Sequence, residues 1–295
     1  MSMRWTGPAS STRCWGSDRR MSRIAVLQMT SGIDPLANAQ TIVGALGAAA
    51  MGGAEMLFTP EMSGLIDRDR ARATPNIVPE DQSPVLQAVQ EAAAGAGIWV
   101  AIGSLPVLRE DGRWANRSFV IDSNGVIAAR YDKIHMFDVD LASGESWRES
   151  SAYAPGDALA VAETPIGRLG LTICYDLRFP ALFEALGQAR CDAIAIPAAF
   201  TVPTGAAHWH ILQRARAIEA SAFVIAAAQV GTHEDGRTTY GHSLVIDPWG
   251  DVLLDMGGEA AGLGFVDLDN KRLADVRGQL PSLANRRAIP DLTQQ

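Results

Sequence analysis

The sequence predicts an α/β fold whose sheets carry helices on their outer faces, and three observations support it. Short β-branched stretches alternate with Ala-rich segments of helical spacing in the first hundred residues. Paired strand-like stretches follow in the middle, and the strand-helix alternation then resumes. No low-complexity linker divides the 295 residues, so the chain reads as one large domain, spanning residues 23–287.

Charge and composition narrow the partners. The formal net charge is -8, with acids and bases interspersed along the chain, which argues against nucleic acid or an anionic membrane surface as main partner. Three cysteines, Cys14, Cys174 and Cys191, cannot all pair within one chain, and a reducing, cytoplasmic setting fits them. No apolar run approaches the roughly 20 residues needed to span a bilayer. The first residues, through Arg19-Arg20, lack the apolar centre of a signal peptide, so residues 1–22 are expected to be a disordered leader and 288–295 a tail.

Taken in order, residues 24–29 read as a buried strand and 35–51 as a helix stopped by Gly52-Gly53. Residues 56–59 form a second strand that delivers Pro60-Glu61 at its carboxyl end, where sites gather in α/β sheets. Ser83 as N-cap and Pro84 at the first helical position open a helix through Ala94, ended by Gly95 and Gly97. Strands follow at 98–105, 115–122 and 126–132, the last two joined by a turn at Ser123-Asn124-Gly125, and the third leads straight into Lys133. Residues 141–157 are rich in Gly, Ser and charge and read as a long loop carrying Glu145 and Glu149; loops of that length are usually functional. A hairpin is expected from 159–162 and 168–173 around Pro165-Ile166-Gly167, then a strand at 193–196 ended by Pro197. A helix over 208–221 places Arg216 and Glu219 at i, i+3 on one face. Strands at 223–229, 242–247, 251–254 and 262–266 complete the chain, with Pro248-Trp249-Gly250 as a tight turn.

The chain is organised around residues 171–180, Leu-Thr-Ile-Cys-Tyr-Asp-Leu-Arg-Phe-Pro. A strand runs into this stretch and Phe179-Pro180 starts a helix, so Cys174 sits at a strand-to-helix turn, a good place to present a nucleophile. No His lies close in sequence to serve as its base. Alone, the cysteine reads more often as a buried small hydrophobe than as a nucleophile, and Glu61 and Lys133 alone read as solvated surface groups.

Three segments stand out together and in order: Phe58-Thr59-Pro60-Glu61-Met62, Tyr131-Asp132-Lys133-Ile134-His135 and Cys174-Tyr175-Asp176. They resemble the carbon-nitrogen hydrolases of the nitrilase superfamily, whose signature is a Glu, a Lys and a Cys on such segments. The likeness runs from about Arg23 to Arg287. It extends to Glu149-Ser150 with Pro155-Gly156-Asp157, to the run from Arg214 to Glu219, and to Tyr240-Gly241-His242-Ser243 with Asp247-Pro248-Trp249-Gly250. The resemblance implies a four-layer α-β-β-α sandwich, a homodimer or larger assembly formed through outer helices, and no cofactor.

It also assigns roles that chemistry can check. A free thiol has a pKa of about 8.5 and needs a base; Glu61 would accept the Cys174 proton and later pass one to the leaving group. Lys133 and the N–H of Tyr175 would hold the oxyanion, and the same ammonium is expected to favour the Cys174 thiolate. Glu149 would hold the lysine and position the hydrolytic water, with Glu145 as competing assignment; the Pro-Gly-Asp after Glu149 favours Glu149. The expected enzyme is a hydrolase of carbon-nitrogen bonds other than peptide bonds.

Asp132 to Asp140, and Ala199-Phe200-Thr201 leading to Trp209, look most like the Nit branch and, within it, the amidases acting on deaminated glutathione. That implies a small amide bearing a carboxylate, hydrolysed through a Cys174 thioester with release of ammonia. Arg178 could grip the carboxylate bidentately, or only pair with Asp176 or Glu184; Phe200 and Thr204 match substrate-contacting positions. Competing readings are an ω-amidase on α-ketoglutaramate, a nitrile- or carbamoyl-cleaving relative, and a non-catalytic binding protein on the same fold. Metal is not expected: the spacing of Cys174, Cys191, His208 and His210 matches no zinc pattern, and His208 and His210 on a helix point to different faces.

Overall fold

The structure, a computed structural model, describes residues 21–290 apart from 143 and 145. Two six-stranded sheets stack face to face. The first contains β1 (Met21–Gln28), β2 (Met56–Phe58), β3 (Trp99–Leu108), β4 (Trp114–Ile121) and β5 (Ile127–Asp132), with the late strand β16 (Gly262–Asp269) on the outer side of β1. A small hairpin, β6 (Asp138–Asp140) and β7 (Ser146–Arg148), follows β5. The second sheet contains β8 (Val161–Thr164), β9 (Gly167–Leu171), β10 (Ala193–Ala195), β11 (Phe223–Ala226), β14 (Leu244–Ile246) and β15 (Val252–Asp255). Between β11 and β14 the chain makes a further hairpin, β12 (Val230–Thr232) with β13 (Thr238–Tyr240).

Alternation along the strands sorts side chains into layers. In β1, Ile24 and Val26 face the second sheet and pack with Leu169, Ile194 and Val224. Ala25 and Leu27 point the other way, onto α1 (Pro35–Met51) and α3 (Pro84–Ala96), which supply Ile42, Leu46, Leu86 and Val89. The short α2 (Arg70–Ala73) lies between those helices in sequence. On the far side of the second sheet, α4 (Pro180–Gln188) and α5 (Val202–Ala220) contribute Phe183, Leu186 and Ala217. The result is the α-β-β-α sandwich the resemblance implied, with α6 (Asn270–Gln279) added after β16.

Both sheets use one pairing pattern. Reading from β16, the contacts to β1, β2, β3, β4 and β5 run antiparallel, parallel, parallel, antiparallel, antiparallel. From β8, the contacts to β9, β10, β11, β14 and β15 run in the same order. Each sheet therefore has a parallel centre whose strands end at the same edge.

Several boundaries differ from expectation for physical reasons. Ser83 caps α3, its hydroxyl accepting the Leu86 N–H at 3.3 Å, and left-handed Gly97 closes it, as predicted. Helix α5 instead begins at Val202 and not at 208. Gly205 looks like a breaker, but it is where the helix meets the Tyr240 ring, which an added Cβ would overlap. The expected loop at 141–157 contains β7 and a 3-10 turn at Glu149–Ser151. Helix α6 was not foreseen: only Leu273 and Val276 of its ten residues are buried, too thin a stripe to read against a polar background. The leader was expected to extend through residue 22, yet Met21 and Ser22 already pair with Asp269 and Leu268 in the sheet. Residues 1–20, with Cys14, and the last five residues of the tail lie outside the described residues, as does Glu145.

One glycine fixes the position of the loop after β2. An added Cβ on Gly103 would overlap the carbonyl oxygens of Thr59 and Pro60. Backbone cannot yield as a flexible side chain can, so Gly103→Ala should destabilise the fold by roughly 3 kcal/mol and displace Glu61. Chemical denaturation reads the first effect, and an unchanged midpoint would contradict the packing.

Candidate active site

Segments leaving the parallel strands β2, β9 and β10 meet at a shared cavity of about 660 Å³. Glu61 stands three residues beyond β2 and Cys174 three beyond β9. Lys133 directly follows β5, and its N–H donates to the carbonyl of Asn116 on β4 at 2.9 Å. Glu149 is brought in by the turn after the β6–β7 hairpin. Glu61, Lys133, Glu149, Cys174, Tyr175, Phe200 and Thr204 all line this cavity.

Local backbone geometry explains how two of these groups are aimed. Cys174 adopts a left-handed φ of 49°, unusual for a non-glycine residue, and opens a 3-10 turn over Cys174–Arg178. Its N–H is held by the Pro197 carbonyl at 2.8 Å. Met62, after Glu61, is also left-handed with φ 55°, its N–H donated to the Ser104 hydroxyl at 2.8 Å. Gln229 Nε2 holds the Glu61 carbonyl at 2.9 Å.

The centre of the site is the Lys133 ammonium, whose side chain is 2 % exposed. It donates to Glu61 Oε1 at 2.9 Å and to Glu149 Oε2 at 2.8 Å and Oε1 at 3.0 Å. Asn116 Nδ2 spans the two carboxylates, at 2.9 Å from Glu61 Oε1 and 3.1 Å from Glu149 Oε1. Backbone N–H groups add to these: Glu61 Oε2 accepts that of Ala199 at 2.9 Å, and Glu149 Oε2 also accepts that of Phe137 at 2.7 Å. Cys174 lines the cavity with the Glu61 carboxylate, and each shifts the other's ionisation.

These contacts set the protonation states. Burial would raise the Glu61 carboxyl, but the Lys133 charge and hydrogen bonds from Cys174, Lys133 and Asn116 outweigh it and hold the group below its ordinary value. Burial opposes the Lys133 charge, yet Glu149 and Glu61 lift its pKa well above the usual lysine value. For Cys174, burial and the adjacent Glu61 charge both push the thiol well up, and Lys133 only partly offsets them. Lys133 does favour the thiolate, as expected, but burial and the Glu61 charge outweigh it, so the thiol lies well above its ordinary value.

A second network, not anticipated, ties the lysine strand to the cysteine turn. Asp176 is fully buried; its Oδ2 accepts the Tyr131 hydroxyl at 2.7 Å and the Ile173 N–H at 2.9 Å. Its Oδ1 accepts the His135 N–H at 3.1 Å and lies 2.7 Å from His135 Nδ1. The His135 ring in turn stacks on Phe179 at 3.5 Å between centroids. Asn116, on β4, and Asp176, in the 3-10 turn after β9, were missed as partners because the sequence around them is itself polar and does not show that both are buried; a buried amide or carboxylate must find partners.

Other expected residues lie elsewhere. Arg178 does not line the cavity; its guanidinium lies over the Phe200 and Tyr175 rings at 5.4 and 6.0 Å and reaches His208 Nδ1 at 3.3 Å. It pairs with neither alternative, since Asp176 serves Tyr131 and His135, and Glu184 pairs with Arg286. Among the described residues, His210, His242 and Asp255 could offer donor atoms to a metal ion, but both imidazoles already hydrogen-bond Asp255 at 2.9 Å and none of the three lines the cavity.

Comparison with known proteins agrees with this geometry. The family model described as carbon-nitrogen hydrolase matches residues 23–278. The chain is 40% identical over 277 residues to the deaminated glutathione amidase of Yersinia enterocolitica, covering 92% of this chain and 95% of that one. Among solved structures it resembles the C. elegans NitFhit protein, with a TM-score of 0.83 and 35% identity over 90% of this chain; it spans 65% of that longer chain. It also resembles an amidase from Nesterenkonia sp. AN1, with a TM-score of 0.74 and 27% identity over 88% of this chain and 98% of that one. In that structure acrylamide has added to the active-site cysteine. The chain belongs to the carbon-nitrogen hydrolase family and is a hydrolase of carbon-nitrogen bonds other than peptide bonds.

Proposed function

We propose that the protein is an amidase that cleaves deaminated glutathione through a thioester on Cys174. The observation that carries the chemistry is the buried Lys133 ammonium clamped between Glu61 and Glu149 in the cavity that Cys174 lines. The similarity to a deaminated glutathione amidase over 95% of that protein's length supports the substrate.

The steps follow from the residues present. As the Cys174 sulfur bonds to the amide carbon, its proton passes to Glu61, and the carbonyl oxygen gains charge. Lys133 Nζ and the Tyr175 N–H hold that oxygen; Tyr175 is second in its 3-10 turn, where N–H groups lack partners within the turn. The carbon-nitrogen bond then breaks and Glu61 returns the proton to the leaving nitrogen. A primary amide releases ammonia. Deaminated glutathione has only substituted amides, so its leaving group is an amine. Water positioned between Glu61 and Glu149 attacks the thioester, giving its proton to Glu61, and the carboxylic acid departs as the thiol is restored.

Two further readings concern assembly and setting. Val202, Ile211 and Ile218 are exposed apolar side chains on α5, which suits self-association through the outer helices. Cys174 and Cys191 are both free and buried, which suits a reducing compartment such as the cytoplasm. No helix among the described residues is long and apolar enough to cross a membrane.

Cys174→Ala should abolish amine release from deaminated glutathione, followed by chromatography of the peptide product; persistent turnover would reject the nucleophile. Faster hydrolysis of α-ketoglutaramate than of deaminated glutathione by the native chain would favour the ω-amidase reading instead. Because the folded Glu61 value lies below 4.5 and that of Lys133 above 10.5, the stability of the ion cluster should be complete between those limits. It should be lost as pH falls through the folded Glu61 value or rises through that of Lys133. Alkylation of Cys174 by chloroacetamide should likewise be flat from about pH 6 to 9 rather than rising through the ordinary thiol pKa of about 8.5; an inflection there would show a free thiol equilibrium. Sedimentation of the purified chain should give a dimer or larger species, and Ile211→Glu should shift it toward monomer.

A further inference from the structure

The catalytic cavity carries more positive than negative charge, although the whole chain is acidic. Three carboxylates and five cations line it. Most are neutralised locally. Lys133 is shared by Glu61 and Glu149, so the reacting end is left with a net charge of about -1 in the ionisation states described above. Arg148 pairs with Asp140, Arg237 with Asp235, and Asp67 with Arg72. Arg68 and Arg70 remain: among the described residues neither has a carboxylate partner, and both are exposed at the cavity wall.

The backbone that carries these two arginines is held firmly. The Arg68 N–H donates to Asp235 Oδ2 at 2.9 Å, and the same buried carboxylate receives Arg237 Nε at 2.7 Å. Asp67, also with a buried side chain, takes the Asp69 N–H and both Nε and Nη2 of Arg72. Arg70 reaches across to the Ser151 hydroxyl, two residues past Glu149. Two acids are thus spent on fixing the segment, while Arg68 and Arg70 keep their charges for something else.

We propose that Arg68, with Arg70 beside it, forms the subsite for the carboxylate at the leaving-group end of the substrate, the glycyl carboxylate of deaminated glutathione. This rests on the amidase reading and names the part of that site which selects its substrate. Guanidinium groups without a carboxylate partner at the rim attract the carboxylate that lies farthest from the scissile amide on the leaving-group side. The walls beside Cys174 are aromatic, with Phe137 against Tyr175 at 5.1 Å and Phe200 nearby; Lys133 is held by Glu61 and Glu149, and Arg178 lies on the Phe200 and Tyr175 rings without lining the cavity. Guanidinium is also the side chain best shaped to hold a carboxylate through two N–H groups. A cavity of about 660 Å³ is far larger than a simple primary amide requires and leaves room for a peptide-bearing leaving group.

The test compares Arg68→Met and Arg70→Met with the native full-length chain on deaminated glutathione, on its C-terminal N-methylamide and on α-ketoglutaramate. Methionine keeps the apolar stem and removes the charge, and a thermal melt matching the native one shows the fold intact. R68M should raise KM for the acid roughly 10–100-fold with kcat little changed, and R70M should do so more weakly. Neither variant should affect the N-methylamide or α-ketoglutaramate. The native enzyme should prefer the acid to its N-methylamide by the same factor, and added salt should narrow that preference. Equal losses on acid and N-methylamide, no loss at all, or a raised KM for α-ketoglutaramate would overturn the subsite. Calorimetric binding of acid and N-methylamide to C174A, with and without R68M, gives the same comparison without turnover. If the native chain binds the acid preferentially and through Arg68 but does not hydrolyse it, the amidase reading fails and the subsite stands.

Discussion

A lysine ammonium with almost no access to solvent is the constraint around which this molecule is built. Desolvating one charge costs several kcal/mol unless partners replace the lost water, and here one partner, Glu61, is itself a buried carboxylate and the other, Glu149, a half-buried one, so both need further donors. Asn116 and the N–H groups of Ala199 and Phe137 supply those donors. The groups come from β4, from the segment after β10 and from the segment after β5, so both sheets must be in place before the cluster is satisfied. Removing any one partner would leave a buried charge short of a hydrogen bond, which makes the site a product of the whole fold and not of one loop.

The repeated pairing pattern of the two sheets explains why such a site can exist at all. Each sheet has a parallel centre, and loops leaving the carboxyl ends of parallel strands are free of hairpin geometry. Stacking the sheets brings the ends of β2 and β9 together, and with them Glu61 and Cys174. Isolated bridges between Met29 and Gln229 and between Ala198 and Ala228 stitch that edge. Asp176 completes the arrangement by joining Tyr131 and His135, on either side of Lys133, to Ile173, the residue before Cys174. It sets the distance between ammonium and sulfur without lining the cavity itself.

Much of this was readable from residue patterns. Strand periodicity, the Ser83-Pro84 cap and the Gly97 stop are local signals, and the structure follows them. The segments bearing Glu61, Lys133 and Cys174 were legible through their joint order and resemblance, not through any one of them. What stayed hidden depends on tertiary contact. Gly205 reads as a helix breaker unless the Tyr240 ring is known to lie against it. Arg178 sits in the right turn but is drawn onto the Phe200 and Tyr175 rings. The shared pairing pattern left no detectable repeat, because what the two sheets have in common is hydrogen-bond direction, which many sequences satisfy.

In the mechanism proposed above, the protonation pattern is what would let a buried, neutral thiol act as a nucleophile. Before reaction, burial and the Glu61 charge oppose ionisation of the sulfur, and Lys133 only partly offsets them. Once Glu61 accepts the proton, its charge is gone and Lys133 is balanced by Glu149 alone. The same transfer that creates sulfur anion therefore removes the charge that opposed it, so the two events favour each other and neither is favourable separately. Thiolate character then arises only while a carbonyl carbon is present to take the electron pair. An active site organised this way holds its sulfur in the less reactive form between turnovers, and it gains reactivity from the substrate's arrival rather than from a standing population of thiolate.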